Sequence, residues 1–173
     1  MEKVIFYPVF FTATIRGWKH LLKPEKYKII VVNNLKELVK EKKIYFYAFC
    51  IMNNHIHLIW QVRGEADPSE VQKALLENIS KQIKKDLLLY HLDVLEIFKS
   101  TQKDRSYHFW KRRPLSVELY TSEVFDQKLD YIQHFNPVNG GLCECPEQYK
   151  YSSAKFYYEG IDEWNMLSHY DGE

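Results

Sequence analysis

With 173 residues, 46% of them hydrophobic and 16% aromatic, the chain is long enough to bury a core of its own and too apolar for a disordered tail. Its 24 Lys and Arg face 23 Asp and Glu, so the net charge of +1 does not announce a nucleic-acid binder, although local basic clusters can still follow a phosphate backbone. The three cysteines, Cys50, Cys143 and Cys145, are too few for a disulfide framework, the opening Met1-Glu2-Lys3-Val4 has no secretion-signal pattern, and no apolar run is long enough to span a bilayer, so one soluble cytoplasmic domain over residues 1–173 is expected.

In chain order, Val4 to Thr14 is rich in Phe, Val and Thr and reads as a strand closed by a turn at Gly17. Tyr27, Ile30, Val31, Leu35 and Leu38 recur at helical spacing and predict an amphipathic helix from about Pro24 to Lys40. Ile44 to Ile51 is a second strand, and Met52-Asn53-Asn54 a tight connection in which Asn tolerates left-handed backbone. His55 to Val62 then returns as an antiparallel third strand. Asp67-Pro68-Ser69-Glu70 has the form of a helix start, and Val71, Leu75, Ile79, Ile83 and Leu87 supply the apolar stripe behind it. His91 to Arg105 reads as a connection and Ser106 to Trp110 as a short fourth strand. A last helix runs from near Thr121 to about Gln133, with Phe125, Leu129 and Ile132 buried. The order is that of an α+β, ferredoxin-like βαββαβ sandwich, an antiparallel sheet with helices, followed by a C-terminal helix and tail.

Chemistry concentrates in two places. Successive strand residues alternate between faces, so His55 and His57 project from one side of the sheet, where two neutral imidazoles make half a metal site. The last helix places Gln127, Tyr131 and His134 on one polar face. A phenol, with a pKa near 10, is a poor nucleophile at neutral pH, so it needs a base, or a cation at the group it attacks. Basic residues cluster at Lys81, Lys84 and Lys85 and at Lys111-Arg112-Arg113 beside Trp110, a pairing of charge and aromatic surface that suits single-stranded nucleic acid. Trp18, Trp60 and Trp164 are read as structural.

The stretch from Tyr45 to Ile59, ending in His55-Ile56-His57-Leu58-Ile59, resembles the His-hydrophobic-His hairpin of the single-tyrosine HUH transposases, a group that includes the REP-associated tyrosine transposases of insertion-sequence type. Gln127 to Ile132 followed by Asn136-Pro137-Val138 is similar to that family's nucleophile helix, and Pro146 to Ala154 to its C-terminal signature. The resemblance implies a bacterial cytosolic enzyme that cleaves and rejoins single-stranded or hairpin DNA through a 5′-phosphotyrosine on Tyr131. It also implies a divalent cation, Mg²⁺ or Mn²⁺, on His55 and His57, no nucleotide cofactor, no membrane and a homodimer. DNA would lie on Lys81, Lys84, Lys85, Trp110, Lys111, Arg112 and Arg113. A non-catalytic module that binds single-stranded nucleic acid is the alternative. The family usually has its Asn four residues after the tyrosine, whereas Asn136 is five after Tyr131, as if one residue were inserted near Gln133. Either the helix ends early or bulges so that Asn136 reaches the metal, or His134 takes the third position, with a slight preference on geometry for His134; a third outcome is an impaired site.

Overall fold

Strand register decides which face each histidine takes. The computed structural model describes residues 6–170, and in it β1 (Val9–Thr14), β2 (Ile44–Ile51), β3 (His55–Val62) and β4 (Leu115–Glu118) form one antiparallel sheet in the order β2-β3-β1-β4. Helix α1 (Glu25–Lys40) connects β1 to β2, and α2 (Pro68–Tyr90) follows β3. This is the βαββαβ sandwich that the element order predicts. Thr12 lies opposite His57 and Thr14 opposite His55, so both imidazoles share a face with Phe10, Thr12 and Ile59. The alternate residues Phe11, Ala13, Ile56 and Leu58 fill the opposite face, and all are buried. On α2 the stripe Val71, Leu75, Ile79, Ile83 and Leu87 is buried, and Asp67 caps the helix by accepting from the Ser69 amide at 2.7 Å.

Four local expectations are corrected. Ser106 to Trp110 is not the fourth strand: it carries only the isolated bridges Lys99–Tyr107 and Ile15–Trp110, and β4 begins at Leu115. All four β4 residues are exposed at the sheet edge, so no apolar alternation marks them. The connection after α2 contains a short helix, α3 (Leu92–Ile97). The asparagines of the hairpin turn do not use left-handed backbone; among the described residues the non-glycine positive φ values are at Trp18, Lys42, Arg113 and Asn165. Asn53 and Asn54 serve through their side chains instead. The last predicted helix is also discontinuous: α4 (Ser122–Asp130) gives way to a π-helical turn over Tyr131–Phe135 before α5 (Asn136–Asn139). The N-terminal end of the first predicted strand, Val4 and Ile5, lies outside the described residues.

The turn that presents His55 is tied to α1 by a buried lysine. Lys28 Nζ donates to the carbonyls of Leu22 and Lys23 at 2.7 and 2.9 Å and to Asn53 Oδ1 at 3.0 Å, while the Leu22 amide donates to the Asn53 carbonyl at 2.9 Å. Burial lowers the Lys28 pKa, and three oxygens satisfy its three donors. Lys28→Met keeps the stem and orphans those acceptors. Urea denaturation is expected to show a loss of about 1–3 kcal/mol, the cost of unsatisfied buried polar groups; an unchanged midpoint would show that this cap is dispensable.

Candidate active site

His57 is 4% exposed, stacked on Phe10 with ring centroids 5.6 Å apart, and held at both nitrogens. Nδ1 is 2.7 Å from Thr12 Oγ1, and Nε2 is 3.2 Å from Asn136 Oδ1. His55 sits edge-on to His57 at 4.7 Å and is half-buried. Its Nδ1 lies 2.6 Å from Asn54 Oδ1, and the Asn54 amide nitrogen donates to the Trp18 carbonyl at 3.4 Å. With that amide so oriented, neutral His55 carries its proton on Nδ1 and keeps the Nε2 lone pair free. Burial lowers the pKa of both rings, with His57 pushed down to about 3 by burial first and by the neighbouring His55 second; Asn136 opposes the shift at both. Both imidazoles are therefore neutral at pH 7.

Tyr131 lies over this pair. Its ring is 43% exposed and meets His57 edge-on at 5.5 Å and Phe10 at 6.1 Å, all within one chain. One helical turn earlier, Lys128 Nζ stands 4.8 Å from the Phe10 ring centre and 5.8 Å from that of Tyr131. Lys128 was not singled out from sequence. Its signal was its place three residues before the tyrosine.

The extra residue near position 133 is absorbed by the π-helical turn. Gln133 points inward and is buried, and its amide donates to Ser153 Oγ at 2.8 Å; that hydroxyl also receives the Phe49 amide at 3.0 Å. The C-terminal segment lies along the edge of β2, with Ser152 bridged to Cys50 and the Tyr149 hydroxyl donating to the Ile51 carbonyl. The wider turn swings Asn136 to His57, and its Nδ2 donates to the Tyr131 carbonyl at 2.9 Å. His134 is exposed and packs edge-on against Phe135. Of the two alternatives for the extra residue the structure has the bulge, which brings Asn136 to His57 and leaves His134 at the surface. Gly140 completes the approach, since a Cβ there would fall 2.8 Å from both the Asn136 carbonyl and Met52 Cε in the hairpin turn.

Among the described residues no three His, Cys, Asp or Glu gather as a metal cluster. The Asn136 amide, which presents Oδ1 to His57, is a group that could hold an ion together with the two imidazoles. His57 Nε2 and Asn136 Oδ1, 3.2 Å apart, are close enough to share one ion; the amide oxygen and open positions for water suit a hard cation, and of Mg²⁺ and Mn²⁺ the paired imidazoles favour Mn²⁺.

Lys81, Lys84, Trp110, Lys111, Arg112 and Arg113 line one cleft of about 870 Å³ between α2 and residues 104–114, whereas Lys85 does not line it. Trp110 is 7% exposed and donates its indole N–H to Ser80 Oγ at 3.0 Å, so it is a wall of the cleft and not an open stacking surface. Trp60 is buried as expected. Trp18, read as structural, is instead 59% exposed, with Lys111 Nζ 5.7 Å from its ring centre.

The family model for IS200-like transposases matches residues 14–134. A Haemophilus influenzae protein assigned as a REP-associated tyrosine transposase is 30% identical over 107 residues, which are 61% of this chain and 56% of that protein; the match thus spans just over half of the relative's length. Among solved structures, a REP-associated tyrosine transposase bound to a REP hairpin superposes with a TM-score of 0.63 at 17% identity, covering 100% of this chain and 94% of the other. That likeness concerns the fold.

The depressed pKa of His57 has a consequence for stability. The unfolded chain takes up a proton near pH 6.5 and the folded chain only near 3, so His57 favours the native state above pH 6.5 and loses that contribution as pH falls. Between about pH 7 and 5.5, above the range of ordinary carboxylates, urea midpoints of the wild type are expected to fall more steeply than those of His57→Gln. Parallel pH profiles would show that the buried imidazole is not the linked group.

Proposed function

Since the chain belongs to the IS200-like transposase family, we propose that it cleaves and rejoins single-stranded DNA next to a hairpin, with Tyr131 as the nucleophile. The observation that carries this reading is the convergence, inside one chain, of the exposed Tyr131 ring on a buried imidazole that Asn136 and Thr12 hold by both nitrogens. The Tyr131 oxygen forms a bond to phosphorus as the bond to the 3′-oxygen breaks; the phenol proton leaves to solvent, the 3′-oxygen takes one up, and a 5′-phosphotyrosine remains. A free 3′-hydroxyl from a second end reverses the step, so joining needs no nucleotide. His55, His57 and Asn136 would hold a Mg²⁺ or Mn²⁺ ion, which would supply Lewis-acid withdrawal of charge from the scissile phosphate.

The chain's own groups do the rest. Thr12 Oγ1 accepts Nδ1–H of His57 when Nε2 serves as ligand, which fixes ring and tautomer. Asn54 does the same for His55. Lys128 brings an ammonium to 5.8 Å from the Tyr131 ring centre, where it stabilises the charge that builds on the phosphate oxygens. The basic cleft tracks the DNA backbone, and Pro68–Tyr90 and residues 104–114 form its walls.

Denaturing gels of a hairpin-flanked single strand with Mn²⁺ test the reaction. The wild type is expected to form a covalent adduct that Tyr131→Phe does not form, and Lys128→Met is expected to form it about a hundredfold more slowly while binding the DNA as before. Binding without an adduct on any such substrate would instead identify a non-catalytic module. For the metal, calorimetric Mn²⁺ affinity is expected to fall about tenfold or more in Asn136→Ala and to stay unchanged in His134→Ala; the reverse ranking would restore His134 as ligand.

A further inference from the structure

A lone exposed apolar residue needs no ligand, but Trp18 is held out by more than chance. It sits at φ 56° directly after Gly17 at φ 67°, a left-handed pair in which tryptophan is an uncommon occupant. The strained segment is strapped down on both sides. The Ile15 amide donates to the Asn54 carbonyl at 2.8 Å, the Trp18 carbonyl accepts from Asn54 Nδ2, and the Arg16 amide donates to the Phe109 carbonyl at 2.8 Å. The indole thus has a fixed base and a free face.

Its position joins the two halves of the molecule. On one side Asn54 leads directly to His55; on the other, Lys111 places its ammonium by the ring while its amide donates to the Thr14 carbonyl at 2.7 Å, at the mouth of the basic cleft. From Ile15 to Pro24 the chain has Arg16, Lys19, His20 and Lys23 and no carboxylate. A rigid aromatic face on a segment with Arg16, Lys19 and Lys23 and no carboxylate matches an unpaired nucleobase with its phosphates, since stacking accepts any base and the basic groups track the backbone.

We infer that Trp18 is the stacking platform for one unpaired base of the strand that passes from the basic cleft to the imidazole pair. The inference rests on the DNA-acting function proposed above. Trp110, the other aromatic residue beside this basic run, is occupied in the cleft wall and does not compete for the role.

Fluorescence polarisation in EDTA, with a labelled hairpin carrying a single-stranded extension, separates binding from cleavage. Trp18→Ala is expected to weaken binding about tenfold to a hundredfold and Trp18→Phe much less, with the thermal midpoint and the affinity for a blunt hairpin unchanged. An abasic site moved along the extension is expected to weaken the wild type at one position and to have no further effect there in Trp18→Ala. Equal affinity of wild type and Trp18→Ala for the extended hairpin would overturn the inference, as would additive losses at every abasic position. Failure of the wild type to bind single-stranded or hairpin DNA at all would overturn the proposed function itself, and the platform with it.

Discussion

One amide holds the candidate site together. Asn136 donates from Nδ2 to the backbone of Tyr131 and presents Oδ1 to Nε2 of His57, so the tyrosine's own peptide and the buried imidazole are fixed against the same side chain. Neither half would be held as well alone: Tyr131 lies on a helix end at the surface, and His57 lies on a strand in the sheet. The π-helical turn is what lets the amide reach both. An α-helix places a residue five positions on well round the axis from its starting face, whereas a five-residue π turn brings the two into line.

The turn in turn depends on contacts far away in sequence. Gln133 occupies the widened position because Ser153 receives its amide, and Ser153 is itself fixed to the Phe49 backbone on β2, the neighbour of the histidine strand. The C-terminal segment, which has no catalytic side chain in the proposed mechanism, thus keeps the bulge in register with the sheet. Gly140 leaves room for the end of α5 to settle on Met52 in the same hairpin turn.

This explains what was legible in the chain and what was not. Alternation in His55–Val62 and the five-residue stripe of α2 are local signals, and they placed the histidines on one face and the long helix on the sheet without tertiary knowledge. The His-hydrophobic-His and tyrosine-helix motifs are local too, and they pointed to the family whose model matches residues 14–134. The extra residue was visible as a spacing, but its direction was not, because Gln133 and Ser153 lie twenty positions apart and nothing local couples them. β4 escaped because an edge strand with every residue exposed has no apolar face to betray it. The two tryptophans exchanged roles for a similar reason: the partner that buries Trp110, Ser80, lies thirty residues away on α2, while the strain that lifts Trp18 is a property of one backbone turn.

The burial of the two imidazoles differs, and the difference has a physical use. His57 is sealed between Phe10, Thr12 and Asn136, an environment that keeps its ring neutral and its orientation single. His55 is half-open, and Asn54, which meets its Nδ1, also donates to the Trp18 carbonyl. A site open on both sides would leave its ligands free to protonate and rotate; one closed on both sides would admit no phosphate. Anchoring one ring in the core and leaving its neighbour half-open satisfies both demands, and the strand's two-residue period supplies that arrangement because the pair runs from the half-buried start of β3 into its buried interior.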